Sequence, residues 1–423
     1  MRCLVALVLA AWAGLAEADA GNSTLQMVQV LFRHGERTPV LVCPTDPHRD
    51  HWLEQGLGQL TGRGKRMQYE LGQFLRRRYA DFLPAQYHVN YTVVRSSDVD
   101  RTLMSAQANL AGLYPPQGRD VWNPDLHWQP IPVHTKPTSE DLLLSFLTSC
   151  ARYELELRRL MATPELRRVD AKNRQLYDHV SQHCGVEVRD LATLALIYDL
   201  LLVESDQNMT LPAWATAVLP PYNRTVYPDL LRPLNELAFN LLSYDAPLKR
   251  LGGGALLGRL AELLRQKVAG SLQPAGRRLF MYSGHDADVA ALLGTLGVYN
   301  GLAPPLASCV IVELHRAPSG AFFVRLFYRN DTTVAPYRLQ VPGCIDDCPW
   351  EAFRDLAARV TPADGAAECA APAGGMPSGQ QVTVIALAVT LALLLVLCTI
   401  GAVIFGRRRR QMQAYSHFGE IPT

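Results

Sequence analysis

Net charge is almost absent from this 423-residue sequence, in which 41 lysines and arginines are balanced by 39 aspartates and glutamates to leave +2. This balance argues against a protein dedicated to nucleic-acid binding, which needs a large basic excess. The sequence also contains no internal repeat. Hydrophobic residues make up 48% and charged residues 19%, which is typical of a globular protein with some membrane sequence.

Clusters of metal-ligating residues are also scarce. Cys344 and Cys348 are close enough to resemble half of a metal clip, but no second cysteine or histidine pair with ligand spacing lies near them. A local disulfide is the better interpretation if the chain enters an oxidising compartment.

The amino terminus is typical of a secretory signal peptide. Arg2 precedes an apolar run from Cys3 to Leu15, and two small-x-small cleavage sites end at Ala18 and Ala20. We therefore predict a signal peptide over residues 1–20. The alternative is an amino-terminal core helix, because the run is too short to cross a bilayer unaided.

The carboxyl terminus contains the one long hydrophobic run. Residues 382–405 carry no charge, and at about 1.5 Å per residue a helix of this length crosses a hydrocarbon core of roughly 30 Å. Arg407–Arg410 follow and are expected to stay in the cytosol. We predict a linker over 366–381, one transmembrane helix over 382–405 and a cytosolic tail over 406–423. The remainder then faces the lumen or the cell exterior, as in a type I membrane protein.

Glycosylation signals agree with this topology. Asn22 begins an N-x-S/T triplet close to the cleavage site and is the least certain of five such sites. We predict glycosylation at the other four, which are Asn90, Asn208, Asn223 and Asn330. Without Cys3 and Cys398, an odd number of cysteines remains in the predicted lumenal part, so one thiol has no disulfide partner.

Strand and helix patterns alternate along the chain. Residues 25–32 predict a buried strand that ends at Arg-His-Gly, and residues 278–283 predict another that ends at Gly-His-Asp. Further strands are predicted at 91–95, 310–315 and 322–328. We expect an α/β fold with a Rossmann-like mixed sheet in an α/β/α catalytic domain over 21–138 and 276–365, and a mostly helical inserted cap domain over 139–275.

The loop after the first strand concentrates positive charge around a histidine. Each of Arg33, Arg37 and Arg101 alone is better interpreted as half of a surface salt bridge, but the cluster predicts an anion site. Gly35 would allow the backbone to approach a ligand closely. Neighbouring arginines are expected to lower the pKa of His34, which leaves a neutral imidazole that can act as a nucleophile.

His285 and Asp286 follow the second strand end, and ligands in open α/β sheets bind outside the carboxyl ends of strands. His285 can donate to a phosphate oxygen. Asp286 can protonate a leaving alkoxide and then accept a proton from water. The alternative is an ordinary aspartate at a helix start with an unrelated histidine neighbour.

The segment Arg33-His-Gly-Glu-Arg-Thr-Pro39, paired with Ser283-Gly-His-Asp286, resembles the histidine acid phosphatases of the histidine phosphatase superfamily, branch 2. Arg95-Ser-Ser-Asp-Val-Asp-Arg-Thr-Leu-Met-Ser105 and Trp128-Gln-Pro-Ile-Pro-Val-His134 strengthen the resemblance, especially to the lysosomal and prostatic members. It covers nearly the whole predicted lumenal part.

The resemblance implies a role for each site residue. His34 would be the nucleophile and Asp286 the proton donor. Four further residues would hold the substrate phosphate, namely Arg33, Arg37, Arg101 and His285. No metal and no cofactor is expected, because arginines replace a metal clamp. The resemblance also implies a homodimer, with Trp128 and His134 near the pocket or the dimer contact.

Two departures from the family pattern alter these expectations. Relatives usually read Ala-His-Asp-Thr-Thr where this chain reads Gly284-His-Asp-Ala-Asp288, so Asp288 would weaken phosphate binding or raise the pKa of Asp286. Relatives also place a cysteine where Val203 stands, which leaves Cys309 without its usual partner. We therefore expect a free thiol at Cys43 and the disulfides Cys184–Cys309, Cys150–Cys369 and Cys344–Cys348.

The expected function is an acid phosphatase that hydrolyses phosphate monoesters through a phosphohistidine intermediate. Tyr415-Ser-His-Phe418 fits an endocytic signal, so the location would be the lysosome or the cell surface. One alternative is a mutase-like phosphotransferase, although such enzymes are typically cytosolic. The other is a weakly active or inactive ectodomain that acts as a receptor or adhesion module, and Asp288 is the feature that favours it.

Overall fold

A seven-stranded mixed sheet lies at the centre of the computed structural model, which describes residues 24–220 and 222–370. The strands in the described residues are β1 Leu25–Arg33, β2 Thr92–Ser96, β3 Val218–Leu219, β4 Arg224–Thr225, β5 Leu279–Gly284, β6 Cys309–Arg316, β7 Phe322–Arg329, β8 Tyr337–Leu339 and β9 Cys348–Pro349. The order across the sheet is β2-β5-β1-β6-β7-β8, with β9 beside β7. β3 and β4 form a separate two-stranded pair.

Both strand directions occur in the sheet. β1 and β2 each run parallel to β5, whereas β6 is antiparallel to β1 and β7 is antiparallel to β6. The predicted mixed α/β sheet is therefore confirmed, and the strands predicted from the sequence form with shifts of at most one residue at their ends. Parallel strands need crossover connections, and helices supply them.

The helices of the described residues are α1 Arg49–Gln55, α2 Gly62–Arg78, α3 Asp100–Leu113, α4 Phe146–Ser149, α5 Ala151–Met161, α6 Pro164–Lys172, α7 Arg174–Cys184, α8 Leu191–Asp206, α9 Ala213–Thr216, α10 Leu231–Leu241, α11 Ala246–Leu251, α12 Gly254–Val268, α13 Asp286–Thr295, α14 Trp350–Val360 and α15 Gly365–Cys369. Short helical segments also occur at Gly118–Asp120, Thr138–Glu140 and Val226–Leu230.

Helices cover both faces of the sheet because its central strands are apolar on both sides. On β1, Met27 and Leu31 belong to an apolar core with α12, α13 and α14. Val28, Val30 and Phe32 belong to a second core with α2 and α3. Side chains alternate between the faces of a strand, so each face of β1 buries its own set.

Residues 139–275, here called the helical insertion, contain the helices α4 to α12. Helices α4 to α11 form a third apolar core, whereas α12 packs in the core of the sheet. Leu176, Ile197 and Leu201 are fully or almost fully buried in that core. Ala287 and Ala291 of α13 belong to the same core, so the insertion packs against the helix that begins at Asp286. The boundaries of the insertion as a separate domain remain a prediction.

The disulfide pairing corrects one expectation. Cys43 pairs with Cys184, and Cys309 is the free thiol among the described cysteines, so the predicted Cys184–Cys309 bridge and the predicted free thiol at Cys43 are wrong. The reason is location: Cys309 opens β6 opposite Phe32 of β1, inside the sheet core. Cys184 ends α7 in the core of the insertion, where Cys43 also lies. The predicted bridges Cys150–Cys369 and Cys344–Cys348 form.

A buried pair of carboxyl groups also joins the insertion to the loop that precedes α1. Glu204 of α8 is fully buried and accepts a hydrogen bond from Trp52 Nε1 at 3.0 Å. Its second oxygen and Asp46 Oδ2 are buried without a hydrogen-bond partner, and Asp46 is close enough to raise the pKa of Glu204. Two carboxyl oxygens can form a hydrogen bond only if one carries a proton. Burial, with Asp46 as a further cause, raises the pKa of Glu204 to about 7.

We predict that Glu204→Gln stabilises the protein at neutral pH. A raised carboxyl pKa contributes stability that is complete below the unfolded pKa of about 4.5 and is lost as the pH rises through about 7. The glutamine amide donates to Asp46 at every pH, so we expect the variant to regain about 1–3 kcal/mol at pH 7.5 and little at pH 5. Urea unfolding at the two pH values measures this difference.

The matched control for Glu204→Gln is Glu154→Gln, which removes an exposed carboxylate paired with Arg158. Exposed pairs contribute little to stability, so this variant should keep the pH dependence of the wild type. If Glu204→Gln also kept that dependence, the shared proton between Glu204 and Asp46 would be ruled out as its source.

Several predicted features lie outside the described residues. They are the signal peptide over 1–20, the sequon at Asn22, the transmembrane helix over 382–405, the tail over 406–423, and Tyr415 and Phe418. Of the helices between residues 24 and 370, none combines the length and the apolar character needed to cross a membrane.

Candidate active site

The two polar loops meet because β1 and β5 are parallel neighbours in register. Arg33 is paired with Gly284, and His34 and His285 follow directly. The two imidazole rings lie edge to face with their centroids 5.6 Å apart. Arg101 arrives from the other side of β5, as the second residue of α3 after β2. The six residues that the sequence singled out therefore surround one point at the carboxyl ends of three parallel strands.

Gly35 is needed for close packing of two backbone segments. A Cβ at this position would lie 2.2 Å from the carbonyl oxygen of Gly64, in the first turn of α2. A Cβ at Gly64 would meet the carbonyl oxygen of Glu36 at 2.0 Å. The sequence suggested that Gly35 lets the backbone approach a ligand. The structure gives a further reason for this glycine, which is the close contact between the His34 loop and α2.

His34 is 1% exposed, and its hydrogen bonding defines its tautomer. Nδ1 lies 2.8 Å from the Gly35 carbonyl oxygen, which can only accept, so Nδ1 carries the proton and Nε2 keeps its lone pair. The pKa of His34 lies well below its usual value, first because the ring is buried and then because Arg33 and Arg37 are close. The expected direction is confirmed, although burial outweighs the arginines.

Three arginines leave buried donors without partners around this histidine. Arg33 donates from Nη1 to the Pro304 carbonyl oxygen at 2.6 Å, and its Nη2 lies 2.7 Å from Asp286. The Nε–H groups of Arg33, Arg37 and Arg101 are all buried and unpaired. An unpaired buried donor is costly, and a cluster of three is well suited to the oxygens of a phosphate group.

His285 is neutral and fully engaged by its neighbours. Arg101 Nη2 donates to Nδ1 at 3.3 Å, so the proton sits on Nε2 and is donated to Ser97 Oγ at 2.9 Å. The pKa of His285 is lowered to about 3, and burial is the largest cause. Arg101 lowers this pKa by more than Asp286 raises it. Its expected contact with phosphate would require a proton on Nδ1, so that role remains a prediction.

Asp286 lies beside two arginines that favour its ionised form. Burial would raise its pKa, but Arg33 and Arg37 outweigh burial and the pKa is lowered. One carboxylate oxygen accepts the hydrogen bond from Arg33, and the other accepts from the backbone N–H of Ala287 at 2.8 Å. The residue is therefore poised as a base until an anion neutralises the arginines.

Asp288 has a role that the sequence did not predict. Its Oδ2 accepts the backbone N–H of His285 at 2.8 Å and so caps the first turn of α13. Burial raises the pKa of Asp288 well above its usual value. The pKa of Asp286 is lowered overall by Arg33 and Arg37, and the expectation that Asp288 raises this pKa or weakens phosphate binding remains a prediction. Gly284 makes room for the Asp288 carboxyl group, since a Cβ there would lie 2.6 Å from Asp288 Oδ2.

A cavity of about 850 Å³ opens in front of these residues. Arg33, Arg37, Arg101 and Asp286 form its polar end. The helical insertion supplies an apolar wall that includes Leu196, Leu202 and Phe239. Trp128 and His134 are not among its lining residues, although the sequence placed them near the pocket or the dimer contact.

The four predicted glycosylation sites are accessible to different degrees. Asn90, Asn208 and Asn223 are exposed. Asn330 is only half-buried and lines the cavity. A glycan on Asn330 would therefore stand at the cavity entrance.

Sequence reasoning missed two polar partners of the site. Ser97 accepts a hydrogen bond from His285, and Asp199 of α8 forms an ion pair with Arg37. Asp199 could have been singled out from the sequence, because it is the one charged residue in the run from Leu191 to Val203. A single carboxylate in an apolar helix needs a partner. Between residues 24 and 370 no group of three or more histidines, cysteines or acids is arranged to hold a metal ion.

A mixed α/β fold with a buried histidine among three arginines whose Nε–H groups have no partner is typical of a histidine phosphatase. A family model described as the histidine phosphatase superfamily (branch 2) matches residues 24–329. This chain belongs to that family, as its motifs indicated.

Curated relatives agree over nearly the whole chain. It is 39% identical to lysosomal acid phosphatase of Homo sapiens over 401 residues, which cover 94% of this chain and 92% of that protein. It is 43% identical to prostatic acid phosphatase of Rattus norvegicus over 361 residues, which cover 83% and 91%. Hafnia alvei phytase in complex with tartrate shares the fold, with a TM-score of 0.59 and 18% identity over 82% of this chain and 98% of that one. The predicted enzyme class, an acid phosphatase, is confirmed.

Proposed function

We propose that this acid phosphatase hydrolyses phosphate monoesters through a covalent intermediate on His34. The observation that carries the proposal is the arrangement of three buried, unpaired Nε–H groups around an imidazole whose Nε2 lone pair is free. The arginines would hold three phosphate oxygens and stabilise the charge that develops on them. Nε2 would then lie behind the phosphorus atom, in line with the leaving group.

The reaction would proceed in two steps. Nε2 of His34 forms a bond to phosphorus while the bond from phosphorus to the ester oxygen breaks, and Asp286 protonates that oxygen. Asp286 then takes a proton from water, the water oxygen attacks phosphorus, and the P–N bond breaks to release inorganic phosphate and neutral His34.

The lowered pKa values of His34 and Asp286 would allow the enzyme to turn over its substrate at acidic pH. His34 stays neutral because burial and the arginines disfavour imidazolium, so its lone pair survives at acidic pH. Arg33 and Arg37 lower the pKa of Asp286, so the proton that Asp286 delivers would come with the substrate. Phosphate monoesters lose their second proton near pH 6, so about pH 5 favours the monoanion that carries this proton.

The lumenal or extracellular location is part of the proposal. Its supports are the predicted signal peptide, the predicted transmembrane helix over 382–405, the lysosomal acid phosphatases among the relatives and three disulfides. Tyr415→Ala should shift a tagged protein towards the cell surface if Tyr415-Ser-His-Phe418 directs endocytosis. We also propose a homodimer, because the family resemblance implies one.

The test of the function is turnover of p-nitrophenyl phosphate at about pH 5. We expect hydrolysis that L-tartrate inhibits competitively, because its two carboxylates can occupy the guanidinium cluster. A folded protein with no turnover would overturn the proposal and favour the receptor or adhesion alternative. The cap hydrogen bond from the His285 backbone to Asp288 gives this carboxyl group a structural role, which supports the phosphatase over that alternative.

A further inference from the structure

One carboxylate of the helical insertion reaches the phosphate end of the cavity. Asp199, in the middle of α8, binds Arg37 through two parallel hydrogen bonds, Nη1 to Oδ2 at 2.8 Å and Nη2 to Oδ1 at 2.9 Å. Both side chains are largely shielded from water, at 7% and 18% exposure. Such paired geometry restricts a guanidinium more strongly than a single hydrogen bond does.

The contacts of Arg37 leave one edge of its guanidinium free. An arginine has five N–H groups. Nη1 donates one hydrogen bond to Asp199 and one to the Thr38 carbonyl oxygen at 3.2 Å, and Nη2 donates one to Asp199. Two N–H groups remain, those of Nε and Nη2, and they lie side by side on one edge. The Nε–H is buried and unpaired, and Arg37 lines the cavity beside Arg33 and Arg101.

We propose that Asp199 is a positioning residue, which holds Arg37 so that its Nε and Nη2 edge is presented to the substrate phosphate. The inference rests on the proposed function, since it concerns how the same site binds phosphate. It makes the helical insertion a part of the phosphate site as well as a wall of the cavity. Arg33 has the same arrangement, because its Nη1 donates to the Pro304 carbonyl oxygen, its Nη2 contacts Asp286, and its Nε–H stays free.

The competing interpretation is that Asp199 occupies the place of phosphate and must be displaced. The two interpretations predict opposite results. A positioning residue strengthens phosphate binding, so its loss weakens binding. A competitor weakens phosphate binding, so its loss strengthens binding.

We expect Asp199→Ala to raise both KM for p-nitrophenyl phosphate and the inhibition constant of inorganic phosphate about 10- to 100-fold, as loss of a charge-assisted contact implies. The change in kcat should be smaller, because Arg37 would still neutralise charge once substrate is bound. Asp199→Asn keeps the shape and one acceptor, so it should give intermediate values. A decrease of either constant in both variants would overturn the proposal.

Two comparisons separate positioning from other effects. Asp206→Asn removes one negative charge from the end of the same helix without contacting Arg37, and it should not raise KM. In an Arg37→Ala background, Asp199→Ala should have no further effect on the phosphate inhibition constant. Independent effects of the two substitutions would contradict the proposal.

Direct calorimetric titration with inorganic phosphate gives a readout that does not need turnover. If wild-type protein bound phosphate without hydrolysing the ester, the proposed function would fail while the role of Asp199 could still be measured. If wild type and Asp199→Asn, both folded by circular dichroism, bound phosphate equally, the positioning role would be wrong and the phosphatase mechanism would stand.

Discussion

Replacing His34 with alanine is expected to lower kcat by about 10⁴-fold or more, because the reaction loses the atom that accepts the phosphoryl group. The wild-type site supplies a neutral Nε2 in a buried ring whose other nitrogen is held by the Gly35 carbonyl oxygen. His285, the neighbouring imidazole, does not offer a free lone pair, because its two ring nitrogens contact Ser97 and Arg101. Steady-state turnover of p-nitrophenyl phosphate at about pH 5 measures the loss.

A second readout for His34→Ala is the intermediate itself. Wild-type protein quenched in alkali during turnover should carry phosphate in the acid-labile form expected of a P–N bond, and the variant should carry none. The guanidinium cluster is intact in the variant, so inorganic phosphate should still bind. His127→Ala, an exposed histidine, is the control and should retain wild-type turnover. If His34→Ala kept more than about 1% of the wild-type kcat, His34 would not be the nucleophile.

Asp286→Asn is expected to produce a loss that depends on the leaving group. General acid catalysis contributes about 10²- to 10⁴-fold, and its benefit is largest for a poor leaving group. We expect about a 10³-fold loss of kcat/KM for an alkyl phosphate such as glycerol 2-phosphate and a much smaller loss for p-nitrophenyl phosphate. With the latter, the phosphoenzyme should accumulate, because the variant also lacks the base that activates water. Rapid quench measures this accumulation.

The leaving-group dependence separates proton transfer from a structural effect. Asp286 also binds Arg33 at 2.7 Å, so its replacement could disturb phosphate binding. A purely structural effect would lower kcat/KM for both substrates equally and raise the inhibition constant of inorganic phosphate. Asp331→Asn, an exposed acid at the cavity wall, should treat the two substrates alike. Equal losses with Asp286→Asn would rule out its role as proton donor.

Much of the site could be predicted from the sequence for a local physical reason. Each of the two motifs directly follows a short apolar strand, and parallel strands present their carboxyl ends at the same sheet edge. His34 and His285 are about 250 residues apart in the chain, yet the register of Arg33 with Gly284 brings them together. Strand and helix periods are properties of short segments, so the mixed α/β fold could also be predicted.

The remaining features depend on how the helical insertion packs, which short segments do not encode. Cys184 pairs with Cys43 because both lie in the core of the insertion, whereas Cys309 lies in the sheet. Burial, more than the neighbouring arginines, lowers the pKa of His34, and burial is a property of the whole fold.

The sequence by itself determined the family, the strand ends and the residues that meet there. Only the tertiary structure decided that Asp288 points into a helix cap and that Asp199 reaches Arg37 from α8. Both outcomes depend on side-chain direction and on contacts between residues distant in the chain. Such contacts form only when the separate cores of the molecule pack together.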